Sequence, residues 1–181
     1  MQLQSERLLL REFEHSDWPA LHAYTSDPEV VKYMPFGVNT EAEARAHIAE
    51  CLATAAEEPR QIYELAVVLR AEDRLIGTAT LAQHFRERRN ASFSYLFHRD
   101  YWGRGYATEA MRRLIDYGFT ELQLHRVEDS CDTRNLASAR VMEKLGMRRE
   151  GHLRESIWKD GRWCDEYLYA LLIDDWARGA S

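Results

Sequence analysis

The residues best suited to chemistry lie in one stretch, Tyr101-Trp102-Gly103-Arg104-Gly105-Tyr106-Ala107-Thr108-Glu109-Ala110. Two glycines stand where a strand pattern gives way to an amphipathic helical one. Glycine tolerates positive φ and lets backbone N–H groups approach a ligand. A helix start adds unpaired donors and a partial positive charge. Together they suit a phosphate or pyrophosphate, with Arg104 as a further charge. A plain strand-to-helix turn without a ligand fits the same residues. The spacing is neither that of a P-loop nor GxGxxG, which disfavours a Walker or Rossmann nucleotide site.

A second constellation is Asn135-Leu136-Ala137-Ser138, followed by Arg140 and Lys144-Leu145-Gly146-Met147. Asn135 stands between a strand and a helix, and Ser138 lies one turn on, on the same face. Helix capping by Asn135 with a surface serine is one reading. A pair of polar groups aimed at a ligand is the other.

Composition removes other classes. The chain has 181 residues and a formal net charge of -6, one domain's worth and a poor match to the basic stripes of nucleic-acid binders. Cys51, Cys131 and Cys164 are far apart and form no CxxC pair, which fits a reduced cytoplasmic protein without a disulfide framework. The histidines form no HExxH-like pattern, so no metal site is expected. The first residues lack the order of a signal peptide, and no apolar run approaches the roughly 20 residues of a membrane span. No membrane partner is expected.

The elements that must position these residues follow from periodicity and capping. A strand over 8–11 precedes a helix opened by Ser16-Asp17-Trp18-Pro19, with proline in the first turn. Asp27-Pro28-Glu29 opens a short second helix. Tyr33-Met34-Pro35-Phe36-Gly37 is an apolar loop. Thr40-Glu41-Ala42-Glu43 is a capping box for a helix reaching about residue 57. Strands over 62–69 and 75–81 form a hairpin, and a polar link leads to a strand over 92–98. A helix over 105–120, a strand over 127–131 and a helix over 135–145 follow, the last ended by Gly146. A hairpin of 148–157 and 163–173 turns at Lys159-Asp160-Gly161-Arg162. The result is a mixed α/β sheet with helices on both faces and a locally parallel strand pair.

As an ordered set, these motifs resemble the GNAT superfamily of N-acetyltransferases, and more closely its Rim-type branch of ribosomal-protein N-terminal acetyltransferases. The resemblance runs over nearly the whole chain. It rests on Glu6-Arg7-Leu8-Leu9-Leu10-Arg11, the glycine loop with Thr108-Glu109-Ala110, Asn135-x-x-Ser138, Glu143-Lys144-Leu145-Gly146-Met147 and Asp160-Gly161-x-Trp163-x-Asp165. It implies a single domain over 1–181 with a mixed, mostly antiparallel seven-stranded sheet and a splayed central parallel pair. It also implies acetyl-coenzyme A as cosubstrate. The backbone of Leu96, Phe97 and His98 would pair with pantetheine, and Gly103, Arg104, Gly105, Tyr106, Ala107 and Thr108 would hold the pyrophosphate. Asn135 would bind pantetheine, and Ser138 would lie near the sulfur.

Three departures from the family pattern are visible. Trp102 stands where the phosphate motif has Gln or Arg. Met142 stands where many relatives carry a tyrosine that protonates the thiolate, so Ser138 is the expected replacement, as in the Rim-type branch. Ser92-Phe93-Ser94-Tyr95 replaces a Glu-x-Gly-Tyr pattern, so the usual carboxylate is missing. His84, Glu155 or a water chain then stands as base. His84 also reads as a strand-end surface residue, and Glu155 as a cross-strand charge partner. An α-amine, with a pKa of about 7.7–8.0, needs less help than a lysine at about 10.4. The expected acceptor is therefore a peptide N-terminus or a small-molecule amine, attacking the thioester directly. Tyr33, Met34, Phe36, Trp158 and Trp163 are candidate walls of its pocket. The same aromatic residues suit a homodimer contact. A non-catalytic acetyl-coenzyme A sensor is the competing reading, kept open by the missing Tyr and Glu.

Overall fold

Ile62–Leu69 carries the run Ile-Tyr-Glu-Leu-Ala-Val-Val-Leu, and its last five residues are all buried. An apolar run without alternation marks a strand covered on both faces. Tyr63, Leu65, Val67 and Leu69 enter one core, and Ala66 and Val68 enter a second. The sheet built around this strand separates two helical layers. The computed structural model describes residues 1–159 and 161–179, except for the side chains of residues 84–86.

The strands are β1 (Gln2–Gln4), β2 (Leu8–Arg11), β3 (Ile62–Leu69), β4 (Arg74–Phe85), β5 (Asn90–Phe97), β6 (Arg126–Asp132), β7 (Arg148–Lys159) and β8 (Arg162–Leu172). They form one sheet in the order β1-β2-β3-β4-β5-β6-β8-β7. Every pairing is antiparallel except β5 with β6. The helices are α1 (Trp18–Thr25), α2 (Pro28–Val31), α3 (Glu41–Ala55), α4 (Tyr106–Thr120), α5 (Leu136–Lys144) and α6 (Ile173–Gly179). One face carries α4 and α5 through Met111, Leu114, Ile115 and Met142. The other carries α1 and α3 through Leu21, Tyr24, Ala44 and Ile48.

The helix starts obey local chemistry. Pro19 sits in the first turn of α1, Asp27 accepts the Glu29 N–H, and Thr40 and Glu43 cap each other reciprocally. Among the described residues, no helix is long and apolar enough to cross a membrane.

The sheet has eight strands where seven were expected. The addition, β1, is the three-residue Gln-Leu-Gln, too short to show alternation, held by pairing with β2 at the sheet edge. β4 runs on to Phe85 through an irregularity between Gln83 and Phe85. The apolar end of the last strand turns into α6, where Trp176 packs on Phe119 with ring centroids 5.9 Å apart. Of the hairpin-turn residues, Asp160 lies outside the described residues.

Candidate active site

The parallel pair is joined at three positions only: Asn90 with Arg126, Ala91 with Val127 and Ser92 with Glu128. Beyond them β5 continues to Phe97 on β4, and β6 continues to Asp132 on β8. The strands therefore part and leave a wedge in mid-sheet. The His98 N–H donates to the Ile76 carbonyl at 2.8 Å, towards β4. Backbone groups alternate sides along a strand. Those of Leu96 thus also face β4, while those of Tyr95 and Phe97 face the wedge. This corrects the expected trio: of Leu96, Phe97 and His98, only Phe97 presents its backbone there, and Tyr95 joins it.

Trp102, at the divergent motif position, donates its indole N–H to the Phe97 carbonyl at 2.8 Å. It thereby fixes the end of β5 instead of contributing a charge. Gly103 and Gly105 have φ of +73° and +83°, the left-handed conformation that only glycine adopts without strain. Gly105 is the N-cap of α4, so the first N–H groups, at Tyr106, Ala107 and Thr108, have no acceptor within the helix. Ring contacts set the side chains of the loop. The Arg104 guanidinium lies over Tyr101, 5.6 Å from its centroid, and the buried Tyr106 ring lies under Arg7 at 4.5 Å.

The loop is latched to the start of the chain. The Glu109 carboxylate accepts from the Arg7 backbone at 2.8 Å, from the Arg7 guanidinium at 2.7 Å and from the Ser5 hydroxyl at 2.8 Å. Arg7 also donates to the Arg104 carbonyl at 3.1 Å. Burial pushes the Glu109 pKa up, but these donors outweigh it and hold the carboxyl below its ordinary range. The Glu6-Arg7 and Thr108-Glu109 motifs are two halves of one support.

At the mouth of the wedge, Asn135 caps α5 by accepting the Ser138 N–H at 3.1 Å. The Tyr95 hydroxyl donates to Ser138 Oγ at 3.1 Å, bridging β5 to α5. Burial pushes the Tyr95 pKa up more than the Ser138 bond lowers it, so the phenol keeps its proton. Since Ser138 Oγ accepts from Tyr95, its own proton is left to donate elsewhere. Met142 is fully buried in the core. Cys131 is buried too, and burial, with nearby carboxylates, pushes its thiol up to about 11. A thiol held protonated is a poor nucleophile.

Asp129 follows the last β5–β6 pair, on the same face of β6 as Val127 and Cys131. Burial pushes its carboxyl from the ordinary 3.8 up to about 7, although a bond from the Ser130 backbone opposes the shift. In the unfolded chain this group ionises near pH 3.8, and in the folded chain only near 7. Stability should therefore fall as pH rises between those values, by at most about 1.4 kcal/mol per unit. Asp129→Asn should unfold at higher urea than wild type at pH 8 and at similar urea at pH 4. Equal midpoints at pH 8 would show that Asp129 carries no such penalty.

The opposite face of the wedge carries a different carboxylate. Glu166 of β8, opposite Asp132 of β6, accepts from Ser130 Oγ and from Ser156 Oγ, both at 2.8 Å. Ser130 and Glu128 share a strand face, and Glu128 is paired with Ser92, the position that lacks the usual Glu. A cleft of about 430 Å³ lies between the loop after α2 and the β7–β8 hairpin, lined in part by Met34, Phe36, Trp158 and Lys159. Lys159 Nζ donates to the Val31 carbonyl at 3.2 Å and to that of Met34, tying the β7–β8 hairpin to the loop after α2. Of the other proposed walls, Tyr33 donates to the Arg134 carbonyl at 3.5 Å with the Lys32 and Arg134 cations each 5.9 Å from its ring, and Trp163 packs edge-on to Trp158 at 5.3 Å. Neither lines the cleft.

The two proposed bases fare differently. His84 lies in β4, with its side chain outside the described residues. Glu155 is exposed in the irregular part of β7, at φ 49°, where its N–H donates to Asp165. Sequence reasoning missed Tyr95, Asp129 and Glu166.

A mid-sheet wedge beside a left-handed glycine N-cap defines an acyl-coenzyme A-dependent transferase fold, and comparison with known proteins agrees. Residues 7–148 match the acetyltransferase (GNAT) domain model. The uncharacterized N-acetyltransferase YnaD of Bacillus subtilis is 42% identical over 97% of this chain and 99% of its own. The crystal structure of a GNAT-family acetyltransferase from Bacillus anthracis superposes with a TM-score of 0.85 at 40% identity, covering 95% of this chain and 98% of that one. The spermidine N-acetyltransferase of Vibrio cholerae, solved with CoA and spermine, shares the fold with a TM-score of 0.82 at 23% identity, over 96% and 99% of the two chains. Rim-type enzymes stand among the more distant likenesses. The chain belongs to the GNAT family. It is an acetyltransferase, and acetyl-coenzyme A is its cosubstrate.

Proposed function

We propose that the chain acetylates a primary amine, either a protein N-terminal α-amine or a small-molecule amine, by direct attack on the thioester. The observation that carries this reading is the difference between the two faces of the wedge. The face under α5 presents the Tyr95–Ser138 hydroxyl pair, and the opposite face presents Glu166 held by two serine hydroxyls. Bound acetyl-coenzyme A supplies an activated acyl group. The Phe97 and Tyr95 N–H groups, turned to the wedge, hold pantetheine and polarise the carbonyl. The loop from Gly103 to Thr108 holds the pyrophosphate, and Asn135 keeps α5 in place.

The amine enters from the cleft of Met34, Phe36 and Trp158. Glu166 attracts it as an ammonium and takes its proton, directly or through water, in place of the carboxylate missing at Ser92. His84 and Glu155 remain secondary candidates for that step. On the opposite face Ser138 returns a proton to the thiolate. Ser138 in place of the family tyrosine is also what supports a place near the Rim-type branch. The V. cholerae spermidine enzyme supports a polyamine among the acceptors to be tested.

An acceptor screen tests the reading. It should cover short peptides with free α-amines, polyamines, aminoglycosides and N-terminally blocked lysine peptides, followed by coenzyme A release and mass spectrometry. Turnover is expected with α-amines or small amines ahead of blocked lysine peptides. Acetylation confined to lysine ε-amines, or no thiol release with any amine, would overturn it.

A further inference from the structure

A second cluster lies outside the wedge and is independent of the acetyl-transfer reading. His47 and Cys51 stand one turn apart on α3, and Glu64 meets them from β3. Cys51 is buried, and the His47 and Glu64 side chains are 39% and 21% exposed. His47 Nε2 lies 2.7 Å from Glu64 Oε1 and 3.5 Å from Cys51 Sγ, and all three donor atoms fall within 4.8 Å of one another. The sequence shows no ligand pattern because the third donor comes from another element.

We propose that His47, Cys51 and Glu64 bind one Zn²⁺ ion. With bonds of about 2.1 Å to nitrogen, 2.3 Å to sulfur and 2.0 Å to oxygen, a tetrahedral zinc site has an N–S edge of about 3.6 Å and an N–O edge of about 3.3 Å. The His47–Cys51 separation already matches its edge. Glu64 has to withdraw by about 0.6 Å from His47, and its oxygen, within 4.8 Å of Cys51 Sγ, has to settle at about 3.5 Å from the sulfur, adjustments that side-chain rotation supplies. A thiolate, an imidazole and a carboxylate together select zinc over magnesium or calcium, which take oxygen ligands. The two anionic ligands balance the ion's charge. The solvent-facing side at His47 admits water as fourth ligand. Binding releases the Cys51 thiol proton and any proton on Nε2 to solvent, with no redox change. The ion pins α3 to β3.

Untagged protein, stripped with a chelator and titrated with Co²⁺, tests the site. A near-ultraviolet thiolate-to-cobalt band is expected, saturating at one equivalent and displaced by Zn²⁺. It should vanish in Cys51→Ala, persist in Cys131→Ala and Cys164→Ala, and require at least tenfold more metal in His47→Ala and Glu64→Ala. Zn²⁺ should raise the melting temperature of wild type and not that of Cys51→Ala. No band in wild type, or a band surviving Cys51→Ala, would overturn the proposal and leave the trio an ion pair beside a thiol. The wild-type titration decides alone should a variant fail to fold.

Discussion

Replacing Gly105 by aspartate is expected to abolish acetyl-coenzyme A binding while leaving the fold standing. Gly105 has φ 83° and ψ 2° and is exposed at the N-cap of α4. A non-glycine residue in that conformation costs on the order of 1–3 kcal/mol, which a protein of this size survives. The larger effect is electrostatic. The new carboxylate would occupy the positive end of α4, the proposed seat of the pyrophosphate. The Arg7 guanidinium lies 3.5 Å from the added Cβ, but it is already engaged by Glu109, so it offsets only part of the repulsion. Affinity should drop by at least about 100-fold, near 2.8 kcal/mol. Acetyl-coenzyme A should raise the melting temperature of wild type and not that of Gly105→Asp. Gly105→Ala, which adds strain without charge, should keep measurable binding. Equal shifts in wild type and Gly105→Asp would remove the loop from the cosubstrate site.

Ser138→Ala should lower kcat about 100-fold, within the range of one lost acid–base group, with little change in the KM for acetyl-coenzyme A. The reason is the direction of its hydrogen bond. Tyr95 keeps its proton and donates a hydrogen bond to Ser138 Oγ, which leaves the serine proton free for its proposed role at the departing sulfur. Tyr95→Phe should reproduce part of the loss, about tenfold, because it removes a support and not the donor itself. The double variant should be little worse than Ser138→Ala if the two act as one unit. Unchanged kcat in Ser138→Ala would take the serine out of the reaction. A fall in kcat for Tyr95→Phe alone would transfer the role to the phenol.

Local chemistry made much of the scaffold readable. The Thr40–Glu43 box, Pro19 in its first turn and the Gly105 N-cap each mark a helix start that the fold reproduces. The glycine loop and Asn135–Ser138 stood out because their residue types are costly or unusual anywhere else. The latch between Arg7 and Glu109 was present as two motifs, but nothing along the chain says that they touch. Tyr95 ends the run Ser92-Phe93-Ser94-Tyr95, whose stronger signal is the missing Glu. Alternation offered a usable sign for Asp129, an acid between Val127 and Cys131 on an otherwise apolar strand face. Glu166 had no such sign. Its importance comes from pairing across β6 and β8, a contact made by topology. The edge strand β1 was invisible because three residues carry no period.

With pantetheine in the wedge, as proposed, the cosubstrate would become a structural part of the sheet, supplying the rung that β5 and β6 lack where they part. Amide hydrogen exchange would show this one residue at a time. The N–H groups of Tyr95 and Phe97 would pass from fast to protected on binding. Those of Leu96 and His98, already held by β4, would not change. An odd–even pattern along a single strand would thus distinguish a ligand seated in the wedge from one that merely tightens the whole fold.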